Sequence, residues 1–92
     1  MSDTKILLVD DHAVVRMGFK MLIEAEPDMT VIAEAESGEL GIKAFKEVKP
    51  DIVIMDITMP GIGGIEAIDR ICAHDKSAKI LVLSAHEASV HP

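Results

Sequence analysis

The chain is predicted to be a single α/β domain, residues 1–92, built on a parallel β-sheet. Short apolar runs alternate with longer segments of helical periodicity, and only short turns separate them, as in stacked βαβ units. The 92 residues are 49% hydrophobic but only 2% aromatic, so the core must consist of Ile, Leu, Val, Met and Ala. Such a composition suits parallel strands that are buried on both faces.

The first half of the chain predicts two strands and two helices. Ile6–Val9 is an unbroken apolar run, as expected of a buried strand. A helix follows over about His12–Glu24. Its predicted packing face carries Val14, Val15, Gly18, Phe19, Met21 and Leu22. Residues 31–33 predict an edge strand, because polar side chains flank them. Ser37 is expected to cap the second helix, which ends at residues 49–50.

The second half predicts two more strands with one helix between them. Ile52–Met55 is a second buried apolar run, and Lys79–Leu83 is the fourth strand. The third helix bears the apolar residues Ile65, Ile68, Ile71 and Cys72. Cys72 is expected on its buried face. Residues 60–64 are expected to form a turn before this helix, in which Pro60 fixes the backbone and the glycines allow positive φ.

Oxygen-bearing side chains follow three of the four predicted strands. Asp10 and Asp11 follow the first strand, Asp56 ends the third, and Ser84 follows the fourth. Ligands of open parallel sheets bind beyond the carboxyl ends of the strands, so we expect the three carboxylates to meet there. Crowded carboxylates repel unless a proton or a cation joins them. Oxygen ligands with no Cys or His pair at ligand spacing favour Mg²⁺ over Zn²⁺.

Charge and composition exclude several function classes. The formal net charge of -7 argues against direct contact with nucleic acid. Cys72 is the only cysteine, which excludes an internal disulfide and fits a reducing cytosol. The sequence contains no signal peptide and no membrane-length apolar run, so a cytoplasmic location is expected. The four histidines share no metal-binding spacing and are expected to be surface or helix-start residues.

In this order and spacing, the motifs resemble the receiver domains of two-component response regulators over the whole chain. The resemblance rests on residues 8–12 (Leu-Val-Asp-Asp-His), residues 51–61, Gly64 and residues 83–85. It implies a flavodoxin-like doubly wound sheet with strand order 2-1-3-4. The Asp-Asp-His start is most similar to regulators that carry a helix-turn-helix output domain.

The resemblance also implies a phosphoacceptor function. Asp56 is expected to take a phosphoryl group from the phosphohistidine of a sensor histidine kinase. The Mg²⁺ ligands implied by the family are Asp10, Asp11, Asp56 and the backbone carbonyl of Thr58. Ser84 is expected to turn its hydroxyl to the phosphoryl group, and Ala85 to leave room for it. Such a domain assists its own phosphorylation, controls transcription through its output domain, and is not an enzyme.

The sequence departs from the family pattern at its end. Family members continue with a further helix, a fifth strand ending in a lysine that contacts the phosphoryl group, and a last helix, whereas the sequence ends at Pro92. We therefore expect a receiver truncated after the fourth strand, without the catalytic lysine. Lys79 cannot replace it, because it starts the fourth strand. An apolar fourth strand left at the edge predicts self-association.

Two alternatives to the phosphoacceptor function stay open. A magnesium-dependent phosphohydrolase of the haloacid dehalogenase type also uses a strand-end aspartate, but its second acid lies two residues later, where this chain has Thr58. A receiver remnant that binds a partner without being phosphorylated is the other alternative, because the lysine is absent. A purely structural interpretation, in which Asp56 only opens a turn, does not explain the acidic pair that follows the neighbouring strand.

Overall fold

The computed structural model describes residues 3–57, 59 and 63–83. Over these residues four strands alternate with three helices. The strands are β1 (Thr4–Val9), β2 (Met29–Ala35), β3 (Ile52–Asp56) and β4 (Lys79–Leu83), and the helices are α1 (Ala13–Glu24), α2 (Gly38–Val48) and α3 (Gly63–His74). All strand pairs are parallel, in the order β2-β1-β3-β4. The predicted fold class and strand order are confirmed.

The central strands β1 and β3 form the core because both of their faces are covered. Ile6–Val9 is almost fully buried, as are Val53 and Met55. Alternate residues of each strand point to opposite faces, so the buried side chains divide into two clusters. The larger cluster, on the side of α2 and α3, includes Leu7, Val9, Phe45, Val53, Met55, Met59, Ala67 and Ile71. The smaller one, on the side of α1, consists of Ile6, Leu8, Val31 and Ile54.

Helix α2 begins and ends where the sequence predicts. The Ser37 hydroxyl accepts a hydrogen bond from the Leu40 backbone N–H (3.1 Å), which satisfies one of the free amides of the first turn. Lys49 follows the last turn with a φ of 50°, in the left-handed region that ends many helices. A Cβ atom on Gly41 would lie 3.0 Å from a methyl carbon of Val9, so this glycine lets α2 approach β1 closely.

Helix α1 packs on the sheet through a narrower face than the sequence predicted. None of its residues is buried, and Val14, Met21 and Leu22 are 81%, 70% and 71% exposed. The prediction that these three residues pack on the sheet was wrong, and Val15 and Gly18 of the predicted face are exposed as well. Phe19 and Ile23 supply the contact with the smaller cluster. Helix α1 contacts β2 and β1, and only part of its apolar surface is covered by them.

Helix α3 packs on the sheet through some of its apolar residues. Ala67 and Ile71 are buried against the larger cluster, and Cys72 is half-buried. Ile65, near the start of the same helix, is exposed. No helix within the described ranges is both long enough and apolar enough to cross a bilayer.

Strand β4 pairs with β3 and with no other strand among the described residues. Leu83 lies opposite Asp56 and Lys79 opposite Ile52, so Lys79 is at the far end of the sheet from Asp56, as predicted. Leu81 and Val82, which point to opposite faces, are both about half exposed. Strand β4 therefore exposes apolar side chains to solvent on both faces of the sheet.

Candidate functional site

Three carboxylates meet at the carboxyl edge of the sheet. One ligand atom from each of Asp10, Asp11 and Asp56, together with one from His12, can be chosen so that all lie within 4.8 Å of one another. Asp10 and Asp56 are buried, whereas the Asp11 side chain is 25% exposed. The structure thus brings these aspartates together at the edge where the strand ends predicted them.

The register of the central strands explains why Asp10 and Asp56 are neighbours. Val9, the last residue of β1, lies opposite Met55 of β3. The residues that follow them, Asp10 and Asp56, are therefore at the same level of the sheet. Backbone hydrogen bonds continue past the strand ends. The Asp10 N–H donates to the Ala35 carbonyl (3.0 Å), and the Ile57 N–H donates to the Leu83 carbonyl (3.1 Å). The backbone around both aspartates is therefore fixed by the adjoining strands.

The start of α3 lies directly against the end of β3, and this contact requires glycine. A Cβ atom on Gly64 would lie 2.5 Å from the Ile57 Cα atom, and closer still to the Asp56 carbonyl oxygen. Gly63, with a φ of 78°, turns the chain into the helix and agrees with the predicted use of positive φ. These two glycines let α3 pack beside Asp56.

Asp10 also organises the loop between β1 and α1. Its Oδ1 atom accepts a hydrogen bond from the His12 backbone N–H (2.8 Å), a local turn typical of aspartate. Its backbone carbonyl accepts from Arg16 Nη1 (2.6 Å), and Arg16 Nε donates to Glu34 (3.0 Å). One oxygen of the Asp10 carboxylate is therefore already engaged in holding the loop.

Asp11 presents an oxygen that the described residues do not satisfy. Its Oδ1 atom is buried and has no hydrogen-bond partner in this part of the chain. His12 Nδ1 lies 3.0 Å away, but not in the geometry of a hydrogen bond. A buried acceptor without a partner is costly, and a charged one more so. The set of hard oxygens fits a divalent cation such as Mg²⁺, which would satisfy this atom and offset repulsion among the carboxylates.

The other predicted site residues follow Asp56 and β4 in the sequence. Thr58, Ser84 and Ala85 lie outside the described residues. Conversely, sequence reasoning missed His12. It is a surface residue at the start of α1, as predicted, but its ring also lies against the acidic cluster. The available signal was its position directly after the aspartate pair.

Comparison with known proteins links this site to one family. A family profile described as the response regulator receiver domain matches residues 6–91. The transcriptional regulatory protein LiaR of Bacillus subtilis is 44% identical over 81 residues, which cover 88% of this chain and 38% of LiaR. The nitrate/nitrite response regulator protein NarL of Escherichia coli is 42% identical over 87 residues, covering 92% of this chain and 40% of NarL.

Solved structures agree with the sequence comparison. A two-component response regulator of the LuxR family from Aurantimonas sp. SI85-9A1 superposes with a TM-score of 0.89 at 46% identity. The match covers 92% of this chain and 61% of that structure.

The matched segment spans about two fifths of the length of LiaR and of NarL.

Proposed function

This chain belongs to the response regulator receiver domain family, and on that premise we propose that it accepts a phosphoryl group on Asp56. Receiver domains are phosphoacceptor signalling domains that regulate other activities and are not classical enzymes. The proposal rests on one observation: the buried Asp56 carboxylate lies within 4.8 Å of ligand atoms of Asp10 and Asp11.

Asp56 is suited to act as the nucleophile because its backbone is held between two strands. It ends β3 opposite Leu83, beside the end of β1. In the proposed reaction a carboxylate oxygen of Asp56 forms a bond to phosphorus as the phosphorus–nitrogen bond of a phosphohistidine breaks. The donor imidazole keeps the bonding electron pair and takes a proton from water. Phosphoryl transfer of this kind needs mainly positioning and neutralised charge.

The acidic cluster is proposed to bind Mg²⁺. Asp11 would supply the Oδ1 atom that has no hydrogen-bond partner among the described residues. Asp10 would act through its second oxygen or through a water, because its Oδ1 atom accepts from His12 N–H. Asp56 and the Thr58 carbonyl would complete the set. When bound, Mg²⁺ supplies positive charge that offsets repulsion between the Asp56 carboxylate and the phosphoryl group.

The proposed partners and output follow from the family. A sensor histidine kinase would supply the phosphoryl group in the cytoplasm. Ser84 would turn its hydroxyl to the phosphoryl oxygen, and Ala85 would leave space for that group. Because LiaR and NarL are regulators more than twice as long as the matched segment, we propose that the receiver controls transcription through a helix-turn-helix output domain. The net charge of -7 argues against DNA contact by this segment itself.

Intact-mass spectrometry tests the phosphoacceptor function. The chain is incubated with acetyl phosphate, with and without Mg²⁺, beside Asp56→Asn and Asp69→Asn, which alters an exposed aspartate on α3. We expect one phosphate on the wild-type chain and on Asp69→Asn only with Mg²⁺, and none on Asp56→Asn. A phosphate gained by Asp56→Asn would remove Asp56 from its role.

The same reaction separates the alternatives. No mass gain by the wild-type chain would favour the interaction remnant. Continuous release of phosphate from generic phosphate esters over many turnovers would favour the phosphohydrolase.

We also propose that the chain self-associates through β4. Leu81 and Val82 are apolar and about half exposed, and among the described residues β4 pairs with no strand other than β3. A strand with one unpaired side readily pairs with another chain. Sedimentation at micromolar concentration is expected to detect a dimer or larger species. Leu81→Lys should shift it toward monomer, whereas Leu22→Lys on the exposed face of α1 should not. Monomer alone in the wild-type chain would refute the proposal, and a shift caused only by Leu22→Lys would place the interface on α1.

A further inference from the structure

We propose that His12 is a side-chain ligand of the acidic cation site and determines which divalent ion the site prefers. The inference rests on the cation site proposed above. His12 Nδ1 lies 3.0 Å from Asp11 Oδ1 and 3.3 Å from Asp10 Oδ1. The Nδ1 atom therefore lies beside the Asp11 oxygen proposed to bind the cation, and His12 shares the 4.8 Å cluster with the three aspartates.

Helix capping does not account for a histidine at this position. His12 precedes the first residue of α1, but its side chain makes no capping hydrogen bond. Its backbone does the local work: the N–H donates to Asp10 Oδ1 (2.8 Å), and the carbonyl accepts from the Arg16 N–H (2.9 Å). Ser, Thr, Asp and Asn are the usual residues here because their side chains cap the helix.

Packing does not account for the ring either. The His12 side chain is 63% exposed, so the ring contributes little to the core. Its specific contacts are with Asp10 and Asp11, and the buried Asp11 Oδ1 atom beside it has no hydrogen-bond partner among the described residues. The remaining feature that could explain a histidine here is that its ring contacts two candidate cation ligands, Asp10 and Asp11.

Imidazole changes the chemistry of an otherwise all-oxygen site. A hydrogen bond between Nδ1 and Asp10 Oδ1 (3.3 Å) requires the hydrogen on Nδ1, because a carboxylate oxygen only accepts. Toward a cation the same atom offers its lone pair, with the hydrogen on Nε2. Mg²⁺ prefers oxygen ligands, whereas Mn²⁺, Co²⁺ and Ni²⁺ gain increasingly from a nitrogen ligand. His12 should therefore raise affinity for Co²⁺ and Mn²⁺ and leave affinity for Mg²⁺ nearly unchanged.

Calorimetric titration of Mg²⁺ and Co²⁺ into the purified 92-residue chain tests this selectivity. In His12→Ala we expect Co²⁺ affinity to fall by about tenfold or more, because loss of even a group that only supports a metal ligand typically costs about 10–100-fold. Mg²⁺ affinity should stay within about twofold. His74→Ala, which removes a histidine from the last turn of α3, is the matched control and should leave both affinities unchanged. Retained Mg²⁺ binding also shows that His12→Ala is folded.

A spectroscopic measurement identifies the ligand directly. With Mn²⁺ bound, pulsed electron paramagnetic resonance should detect coupling to a directly bound ¹⁴N nucleus in the wild-type chain and in His74→Ala, and not in His12→Ala. Equal losses of Co²⁺ and Mg²⁺ affinity, or ¹⁴N coupling that persists in His12→Ala, would overturn the assignment of His12 while leaving the carboxylate site intact. A wild-type chain that binds neither cation would overturn both.

Discussion

Replacing Gly64 by alanine is expected to destabilise the domain, even though alanine is the better helix former. The added Cβ atom would lie 2.5 Å from Ile57 Cα and 2.9 Å from the Asp56 carbonyl carbon, far inside van der Waals contact. Both neighbours are backbone atoms, so rotation of a side chain cannot relieve the clash. Either α3 or the end of β3 must move.

The magnitude follows from two opposing effects. Overpacking of a well-packed site costs about 1–3 kcal/mol, and a clash with backbone belongs at the upper end of that range. The higher helix propensity of alanine adds at most about 1 kcal/mol to the free energy of unfolding. We therefore expect the free energy of unfolding to fall by about 2 kcal/mol, which lowers Tm by about 8–16 °C in a domain of this size.

Gly18→Ala is a matched control within α1. A Cβ atom there would meet nothing within 4 Å, so only the propensity effect operates. The variant should gain about 0.5–1 kcal/mol of stability. Thermal unfolding followed by far-ultraviolet circular dichroism is the suitable assay, because the chain has no Trp or Tyr. A Gly64→Ala variant as stable as the wild type, or one that shifts upward together with Gly18→Ala, would refute the reasoning.

Three further substitutions test local features of the fold. Ser37→Ala removes the hydroxyl that accepts from the Leu40 N–H and should lower the free energy of unfolding by about 1 kcal/mol in urea titrations; an unchanged value would contradict the cap. Leu8→Ala truncates a fully buried side chain and should cost about 2–5 kcal/mol, so a melt within a few degrees of wild type would show that the core is wrongly described. The pKa of Asp75 is lowered, first by the Ser77 hydroxyl hydrogen bond (2.7 Å) and then by the Ser77 N–H (3.0 Å). Its stabilising effect is present above the unfolded-state pKa and disappears as pH falls through the folded-state pKa. Ser77→Ala should raise this pKa toward its ordinary value in a nuclear magnetic resonance titration, and an unmoved pKa would exclude the hydroxyl as its main cause.

The sequence predicted the meeting of the aspartates because that outcome depends on chain topology alone. Parallel neighbouring strands end at one edge, so residues that follow β1 and β3 must be close, whatever the details of packing. The buried core was also predictable, because strands that are covered on both faces carry unbroken apolar runs and do not alternate apolar with polar residues.

Features set by tertiary placement were not predictable in the same way. The apolar arc of α1 includes Val14, Met21 and Leu22, but where the helix lies over β1 and β2 decides which part of the arc is covered. Gly64 was predicted to support a turn, whereas its main constraint is the approach of the Asp56 backbone. His12 was missed because a search for paired ligands in sequence does not detect a ring that lies against two neighbouring carboxylates.

Calorimetric titration of Mg²⁺ into the wild-type chain, Asp11→Asn and Asp69→Asn tests most directly whether the three carboxylates share one cation. We expect one ion per chain for the wild type and for Asp69→Asn, whose exposed carboxylate lies on α3 and is not a member of the cluster. Asp11→Asn should lose most of this affinity for Mg²⁺, because it removes the negative charge of the carboxylate whose Oδ1 atom is buried. Equal Mg²⁺ affinity in Asp11→Asn and the wild type would contradict the shared site.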